Sequence, residues 1–579
     1  MRVLGLVTAR GGSKGFPGKN VALLAGRPLV AWSHRLLSRM RALHPELEPW
    51  LSTDAPEIAE AWPMQDRPRR LRPPELACDD STSWDVVEYE LRRAETEGPA
   101  CDAVLLLQPT SPLLALEDLE AAWQAFVGGC PSVAGATRVD HPVQWSFYRN
   151  ADGSTESALP HASVEARQQL RTAYLPAGFW INSTAFLRQH RTFFVAGLTR
   201  TVEVPDRRAS DIDHAIDLEI ARCRLRDNSG EPTVEIEGHK IGVGAPVFVI
   251  AEAGVNHNGS LELAMELVDA AARAGADAVK FQTFEPRELV TREAAKAEYQ
   301  IANTGTTESQ REMLERLALP ESAFRKLKTH SESVGLVFLS SPFDTPSARL
   351  LERLGVSAFK LGSGELTNHA LLADLARIGR PLLLSTGMAT LDEIEDASAV
   401  IASHGAPPVV WLHCVSSYPA PYEQTNLRAI ETIRLAVGGP VGMSDHSPGW
   451  EVTLGAVALG ARVIEKHLTL SRELPGPDHA ASLEPADFRR MVEQIRRIES
   501  ALGNGIKAPA PCELNTRQIA RKSLVGARDL PAGTQLQPAD LAIKRPGTGL
   551  SPSLLSGVAG RVLRKPLAAD EQLTWEHLR

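Results

Sequence analysis

The chain has 579 residues, which is too long for one hydrophobic core and predicts about three to four domains. Its 43% hydrophobic and 23% charged residues are typical of an ordinary globular protein. The net charge of -9 excludes broad attraction to nucleic acid or an anionic membrane, so neither is expected as a partner. No run approaches the roughly 18 apolar residues of a membrane span. The six cysteines lack CxxC spacing, which favours a cytoplasmic protein with reduced thiols.

The first predicted strand, Val3–Thr8, leads into a glycine-rich basic loop at residues 9–20. A short continuous apolar run is typical of a buried parallel strand. Arg10, Lys14 and Lys19 follow on the loop, and its glycines make the backbone pliable. Three cations and free N–H groups can approach a triphosphate, although the spacing is not that of a Walker A loop. The alternative is a basic surface turn.

Further strand-like runs at residues 49–54 and 103–111 alternate with helical stretches. This alternation predicts a doubly wound α/β sheet whose ligands bind at the carboxyl ends of the strands. Asp211 and Asp213 lie one residue apart on a segment predicted to be extended, so both carboxylates point to the same side. Such a pair can hold Mg2+ beside phosphates, and with the basic loop it favours nucleotidyl transfer.

Six segments of this region together resemble the CMP-sialic acid synthetases. They are ARGGSKGFPGKN, STD, RPPELACDDSTS, QPTSP, RQQL and DID. The residues that the resemblance assigns to CTP are Arg10, Ser13, Lys14, Lys19, Asn20, Arg72 and Ser83. Those that it assigns to the sugar acid are Gln108, Arg167 and Gln169, with Mg2+ on the two aspartates. In the implied reaction an anomeric hydroxyl attacks the α-phosphate and pyrophosphate leaves, with Arg10 and Lys19 as catalytic cations.

Eight apolar, β-rich segments follow a linker near residues 230–232 and a hairpin-like stretch, and most are separated by helical lengths. The segments are residues 248–254, 278–283, 336–343, 358–365, 381–388, 409–419, 441–447 and 461–470. Eight β-α units are what a (β/α)8 TIM barrel requires, and its chemistry is expected where each strand ends.

The ends of these strands are unusually polar for a barrel interior, where valine, isoleucine and leucine are usual. They carry Glu252, Lys280, Gln282, Ser341, Lys360, Ser363, Glu365, Ser385, Thr386, His413, His446 and His467. The lysines and hydroxyl groups predict a phosphate and carboxylate site. For His446 and His467, shared binding of a divalent metal is favoured over a general acid role. Glu252 and Glu365 are candidates for proton transfer, or else form ion pairs with the lysines.

These segments resemble the sialic acid synthases, which condense phosphoenolpyruvate with a hexosamine. The matching pieces are EAGVNHNGS, KFQT, SSPF, FKLGSGE, STGM, HCVSSYP, SDHS, IEKHLTL and PGPDHAASLEP. The resemblance implies Mn2+ or a similar ion on His446 and His467, which polarises an open-chain aldehyde. The predicted catalytic residues are Glu252, Lys280, Lys360 and Glu365, and the predicted substrate-binding residues are Gln282, Ser341, Ser363, Ser385, Tyr418 and Asp478. GSGE and GPD look more like the N-acetylneuraminic and legionaminic acid branches than the pseudaminic one.

The C-terminal segment, residues 519–579, resembles the antifreeze-like domain attached to such synthases. About sixty residues only just sustain an independent core. The resemblance implies a homodimer or higher homo-oligomer in which this domain covers the barrel mouth of a partner subunit and contributes Arg545. A solvated turn at Lys544 and Arg545 is the alternative.

Together these features predict a cytidylyltransferase domain at residues 1–228, a synthase barrel at 236–510 and the antifreeze-like domain at 519–579. The predicted enzyme is bifunctional: it condenses phosphoenolpyruvate with N-acetylmannosamine or a related hexosamine and activates the product with CTP. Legionaminic acid as the sugar stays open. A second alternative is that one half of the chain is a catalytically silent binding or assembly module, because residues 175–178 read LPAG where the synthetases often have Arg-Pro-Asn-Gly. A third alternative is a 3-deoxy-octulosonate type cytidylyltransferase or another phosphoenolpyruvate aldol enzyme.

Overall fold

The computed structural model describes residues 1–13, 15–68, 70–78, 80–139, 141–159, 172–228, 232–304 and 308–578. The chain divides into two compact units, residues 1–500 and 501–579. The first unit contains both an open sheet and a barrel. Among the described residues, no helix has the length and apolar character needed to cross a bilayer.

The open sheet is built from residues 1–228. The described strands are β1 (Val3–Thr8), β2 (Leu23–Leu24), β3 (Arg27–Pro28), β4 (Leu47–Ser52), β5 (Ala103–Leu107), β6 (Ser132–Arg138), β7 (Phe147–Arg149), β8 (Thr155–Ser157), β9 (Tyr174–Ser183) and β10 (Arg200–Glu203). Six of them form a sheet in the order β10-β6-β9-β5-β1-β4, and β9 runs antiparallel to its neighbours. β2 and β3 form a separate hairpin.

Helices cover both faces of this sheet. They are α1 (Leu29–Leu43), α2 (Pro56–Glu60), α3 (Ser83–Glu97), α4 (Leu116–Val127), α5 (Thr184–His190) and α6 (Ala215–Asn228). α1 and α4 contribute to the apolar core on one face, and α3 and α5 contribute to the core on the other. β1 and β5 are apolar along their length because both of their faces are buried. The predicted doubly wound sheet is confirmed.

The barrel strands are β13 (Phe248–Gly254), β14 (Ala278–Thr283), β15 (Val337–Pro342), β16 (Phe359–Leu361), β17 (Leu382–Ser385), β18 (Val409–Cys414), β19 (Val441–Asp445) and β20 (Val463–His467), after a hairpin of β11 (Val234–Ile236) and β12 (His239–Ile241). The eight strands are paired in the order β15-β14-β13-β20-β19-β18-β17-β16, with parallel registers. Each predicted segment contains one of these strands, so the predicted barrel is confirmed. β16 is shorter than its segment because residues 363–365 form a 3-10 turn.

Helices surround the barrel. They are α7 (Leu261–Ala274), α8 (Pro286–Leu289), α9 (Glu298–Thr304), α10 (Gln310–Leu317), α11 (Glu321–Ser333), α12 (Thr345–Leu354), α13 (His369–Ile378), α14 (Leu391–Ser403), α15 (Ala429–Val437), α16 (Glu451–Ala458) and α17 (Pro485–Leu502). Several begin at a residue whose side chain caps the first turn, such as Ser260 before α7 and Thr390 before α14. Apolar residues of the β11–β12 hairpin pack with the amino ends of the strands, so the polar carboxyl ends form the open mouth.

The second unit, residues 501–579, has its own small core. Its elements are α18 (Leu514–Ala520), β21 (Ser523–Gly526), β22 (Leu541–Lys544) and α19 (Leu555–Val558). β21 and β22 pair antiparallel, and the core around them consists of leucine and valine side chains. Arg545 follows β22 directly and is exposed.

Candidate active sites

A cavity of about 720 Å³ lies beside the carboxyl ends of β1 and β5. Its lining includes nine residues predicted from the sequence: Arg10, Ser13, Lys19, Asn20, Arg72, Ser83, Gln108, Asp211 and Asp213. Lys14, Arg167 and Gln169 lie outside the described residues. The structure therefore brings members of the predicted CTP, metal and sugar-acid sets together around one cavity.

The basic loop after β1 is held in shape by two hydrogen bonds. The Asn20 side-chain amide donates to the Arg10 carbonyl at 2.9 Å, and the Gly11 N–H donates to the Asp54 carboxylate at 3.1 Å. Gly18 has a φ of 70°, a left-handed conformation that glycine adopts without strain. The Asp54 carboxylate also lies 3.5 Å from the buried guanidinium of Arg72. Protein contacts alone thus fix the loop relative to Arg72.

The acidic side of the cavity faces this loop. Asp211 and Asp213 flank Ile212, which is fully buried and whose N–H donates to the Thr110 carbonyl at 2.9 Å. The Lys19 ammonium lies 2.9 Å from the Asp213 carboxylate. Cations and carboxylates therefore meet across one cavity, which is the arrangement needed to bind phosphates together with a divalent ion.

Gln108 lies where β5 ends, close to β9. Its N–H donates to the Gly178 carbonyl at 2.9 Å. Gly178 has a φ of 76°, and a Cβ atom there would lie 2.0 Å from the Ser111 hydroxyl. Position 178 thus requires glycine for both conformation and space, and this keeps β9 close to Gln108.

A second site lies at the barrel mouth, where four charged side chains form a buried cluster. The Lys280 ammonium lies 3.1 Å from the Glu252 carboxylate and 3.4 Å from that of Glu465. The Lys360 ammonium also lies 3.4 Å from the Glu465 carboxylate. None of the four residues is more than 4% exposed. Buried charges are costly unless they are paired, so each of these groups depends on the others. We call Glu252, Lys280, Lys360 and Glu465 the lysine cluster.

Burial and pairing act in opposite directions on the lysine cluster. Burial raises the pKa of Glu252 to about 7, against the attraction of Lys280. Burial would also raise the pKa of Glu465, but Lys280 and Lys360 together hold it below its usual value. Burial would lower the pKa of Lys280, yet the two glutamates raise it overall, whereas burial lowers the pKa of Lys360. Glu465 is therefore the ionised partner of the lysines, and Glu252 titrates near neutrality.

Hydroxyl and amide groups surround the lysine cluster. The Lys280 ammonium donates to the Ser341 hydroxyl at 3.2 Å, and the Lys360 ammonium donates to the Ser385 hydroxyl at 2.8 Å. The Gln282 amide donates to Glu252 at 3.3 Å. The predicted serines and glutamine at these strand ends thus lie beside the predicted charges.

Other polar strand-end residues make bonds away from the lysine cluster. Glu365 is half-buried and accepts a hydrogen bond from the Asn368 amide at 2.9 Å. His413 donates from its ring to the Thr425 carbonyl at 2.7 Å. The Ser363 hydroxyl accepts from the Gly387 N–H at 3.0 Å and so fixes the loop after β17. A catalytic role for Glu365 stays a prediction.

The paired histidines lie beside the lysine cluster, with ring centroids 5.3 Å apart. Nδ1 of His446 donates to the Val415 carbonyl at 3.0 Å, which leaves Nε2 available as a ligand. Nδ1 of His467 is buried and has no hydrogen-bond partner in the described part of the chain. A metal ion would satisfy this nitrogen, so the residues fit a shared divalent ion. Because no cluster of three or more His, Cys, Asp or Glu ligands occurs among the described residues, water or substrate would have to complete the coordination of such an ion.

Aromatic rings line the site next to the histidines. The Tyr418 ring lies 4.2 Å from the His446 ring and stacks on Tyr299 at 5.0 Å, measured between ring centroids. Asp478 is buried near them, and burial raises its pKa to about 6. The predicted Tyr418 and Asp478 thus belong to the same mouth as the lysine cluster.

Comparisons with known proteins agree with this architecture. Residues 267–507 match the NeuB family, residues 4–218 match the cytidylyltransferases and residues 521–579 match the SAF domain. The N,N'-diacetyllegionaminic acid synthase of Campylobacter jejuni is 43% identical over 326 residues, which cover 56% of this chain and 98% of that protein. The chain belongs to the NeuB family.

Two further relatives of this NeuB-family chain show different degrees of sequence identity to it. The N,N'-diacetyllegionaminic acid synthase of Legionella pneumophila is 45% identical over 335 residues, which cover 57% of this chain and 94% of that protein. The N-acetylneuraminate-9-phosphate synthase of Mus musculus is 33% identical over 342 residues, covering 58% of this chain and 94% of that protein. Together with the cytidylyltransferase match, these relatives make the chain a bifunctional enzyme of nonulosonic acid biosynthesis. The predicted fusion is confirmed, and its predicted domain bounds stay predictions.

Two residues of the NeuB-family barrel site, Glu465 and Tyr299, were not predicted from the sequence. Glu465 lies two residues before His467 on β20, so strand alternation places both side chains on the same face. That signal was present in the sequence. Tyr299 lies on α9, outside the barrel strands, and nothing in the local pattern distinguishes it from an ordinary helix residue.

Proposed function

We propose that the barrel condenses phosphoenolpyruvate with a hexose that carries two acetamido groups, and that the N-terminal domain converts the product into its CMP derivative. The observation that carries this proposal is the presence, in one compact unit, of a cation-lined cavity and of a lysine cluster beside paired histidines. The product of the barrel site would be the sugar acid that the N-terminal site uses as its substrate.

The sugar is proposed from the relatives. The two relatives named for N,N'-diacetyllegionaminic acid are 43% and 45% identical to this chain, against 33% for the N-acetylneuraminate-9-phosphate synthase. Phosphoenolpyruvate supplies three carbons without nitrogen, so both acetamido groups of such a product come from the hexose. N-acetylmannosamine, with one such group, is the second candidate substrate.

In the barrel reaction, Lys280 and Lys360 hold the phosphate and carboxylate of phosphoenolpyruvate, with the Ser341 and Ser385 hydroxyl groups oriented by the same ammonium groups. C3 of phosphoenolpyruvate forms a bond to the aldehyde carbon of the hexose, water adds at C2, and phosphate leaves. Glu252 supports the proton transfers because its pKa of about 7 allows both protonation states near neutrality.

His446 and His467 would hold Mn2+ or a similar ion, which when bound polarises the aldehyde oxygen. Gln282, Ser363, Tyr418 and Asp478 are proposed to contact the substrates, because they lie around the same mouth. The buried carboxyl group of Asp478 and the ring of Tyr418 define the side that faces the histidines.

In the N-terminal site, Arg10, Lys19 and Arg72 are proposed to neutralise the triphosphate of CTP, together with Ser13, Lys14, Asn20 and Ser83 as further binding groups. The anomeric hydroxyl of the sugar acid attacks the α-phosphate and pyrophosphate leaves. Asp211 and Asp213 would hold Mg2+, which supplies positive charge to the phosphates. Gln108, Arg167 and Gln169 are proposed for the sugar acid.

A coupled assay tests the two-step proposal. The full chain, with phosphoenolpyruvate, the diacetamido hexose, Mn2+, Mg2+ and CTP, is expected to release phosphate first and then an equal amount of pyrophosphate. N-acetylmannosamine is expected to have the lower kcat/KM for phosphate release. Phosphate without pyrophosphate, including when the sugar acid is supplied directly, would show that the N-terminal half is silent.

The oligomeric state is part of the proposal: a homodimer or higher homo-oligomer in which the C-terminal domain, through Arg545, completes the barrel mouth of a partner subunit. The exposed position of Arg545 after β22 supports it. We also propose a cytoplasmic location, supported by six free cysteines.

Mixing two inactive variants tests this arrangement. Arg545→Ala and His446→Ala are each expected to lose phosphate release, while an equal mixture regains about a quarter of the wild-type rate once subunits exchange. The reason is that a mixed dimer has one intact barrel opposite one intact C-terminal domain. No recovery after exchange, verified by mass-tagged subunits, would mean that Arg545 acts within its own subunit or not at all.

A further inference from the structure

The open-sheet domain docks on the outside of the barrel through two arginines. The Arg27 guanidinium forms a two-pronged contact with Glu395 of α14, at 3.1 and 3.0 Å, and also contacts Asp392. Arg35 of α1 lies 2.9 Å from the Glu395 carboxylate and 2.7 Å from that of Asp396. One glutamate therefore joins both arginines. Arg27 is only 6% exposed, and a buried two-pronged pair of this kind has a fixed geometry.

Shape complementarity adds to these charges. The β2–β3 hairpin, residues 23–28, turns at Ala25 and Gly26, which both have positive φ. A Cβ atom at Gly26 would lie 2.7 Å from the Thr432 side chain of α15, so the tip of the hairpin packs closely against the barrel. The hairpin is thus clamped between α14 and α15.

The basic loop at residues 9–20, which we call the nucleotide loop, precedes this hairpin directly in the chain. At the base of the hairpin, the Leu29 N–H donates to the Ala22 carbonyl at 3.1 Å, and the Ala22 N–H donates to the Lys19 carbonyl at 3.0 Å. Lys19 lines the cavity and lies 2.9 Å from Asp213. A short run of backbone hydrogen bonds therefore links the docked hairpin to a cation proposed to bind CTP.

We propose that Arg27 and Arg35 are positioning residues through which barrel helix α14 holds the nucleotide loop in the geometry that binds CTP. This inference rests on the proposed cytidylyl transfer. Its physical basis is the entropy of a glycine-rich loop, which becomes ordered only when neighbouring residues hold it in place. If the loop is not already ordered, CTP must order it on binding, and the affinity for CTP falls. The synthase barrel then serves its attached domain as a structural support, independent of the chemistry in its own mouth.

A simpler role for the contacts of Arg27 and Arg35 with α14 is to attach one domain to the other. A second ion pair distinguishes this attachment role from the positioning role. Arg226, near the end of α6, lies 2.9 Å from Glu431 of α15. This pair also joins the open-sheet domain to the barrel, but it does so through α6 and α15 instead of through Arg27 and α14. Attachment alone predicts similar effects from both pairs, whereas positioning predicts an effect from the Arg27 pair only.

The test compares Glu395→Gln with Glu431→Gln in the full chain. With supplied sugar acid, Glu395→Gln is expected to raise the KM for CTP about tenfold, with kcat at saturating CTP within about twofold of wild type. Glu431→Gln is expected to leave both parameters within about twofold. Arg27→Lys keeps the charge without the two-pronged contact and is expected to give an intermediate KM. Phosphate release, measured in the same samples, reports that the barrel is folded and is expected to be unchanged.

Three results would overturn the inference: a wild-type KM for CTP in Glu395→Gln, equal effects of the two glutamine variants, or a loss of kcat without a change in KM. Calorimetric titration of CTP without sugar acid distinguishes failure of the positioning inference from failure of the proposed cytidylyl transfer. If the wild type binds CTP but releases no pyrophosphate, cytidylyl transfer fails, while weaker CTP binding by Glu395→Gln still supports positioning.

Discussion

Replacing His446 with alanine is expected to stop phosphate release by the barrel while the cytidylyltransferase stays active. His467 alone offers one nitrogen, which is too few ligands to retain a divalent ion against water. A bound metal supplies several kcal/mol of charge stabilisation, and each 1.36 kcal/mol is tenfold in rate, so a loss of at least about 1000-fold is expected. His446 does not line the cavity that contains Lys19 and Asp213, so the substitution leaves the cytidylyltransferase site unaltered.

The measurement follows phosphate from phosphoenolpyruvate and pyrophosphate from supplied sugar acid and CTP in one preparation. Asp211→Ala is the reciprocal control, since it is expected to abolish pyrophosphate release only. The manganese content of the purified variant provides a second readout that does not depend on activity. Full phosphate release by His446→Ala, or loss of both activities by either variant, would contradict two independent sites.

The barrel could be predicted because its signal repeats. Eight apolar segments, each ending in polar residues, leave few alternatives to a ring of parallel strands, and the segment at residues 278–283 matches its strand residue for residue. The end of β16 could not be predicted, because Phe359–Leu361 and the following turn are equally compatible with an extended chain in the local sequence. Where hydrogen bonding stops depends on the neighbouring strands.

The side chains of both sites could be predicted by type, but their pairing could not. Glu252 pairs in register with Lys280 on the adjacent strand, as the sequence reasoning allowed. Which acid lies between the two lysines depends on the stagger of the whole ring, and that acid is Glu465 rather than Glu365. The contact of Arg27 with Glu395 joins residues 368 positions apart, for which one sequence contains no signal.

Replacing Glu465 with glutamine is expected to lower kcat/KM for phosphoenolpyruvate about 100-fold. Glutamine keeps the size of the side chain and still accepts the Ser444 hydroxyl, which lies 2.7 Å from the glutamate. What is lost is the anion that both buried ammonium groups share. Without it Lys280 and Lys360 repel each other, so one of them tends to lose its proton and with it the attraction for the anionic substrate.

The effect is therefore expected in the KM for phosphoenolpyruvate, with the KM for the hexose nearly unchanged. Glu352→Gln is the matched control and is expected to behave as wild type, because Glu352 lies on α12 outside the barrel mouth and pairs with Arg349 at 3.1 Å. Glu365→Gln decides between the two acids, because Glu365 bonds to Asn368 instead of the lysines. A larger loss in Glu365→Gln than in Glu465→Gln would contradict the assignment of Glu465 as the anion that keeps both lysines charged.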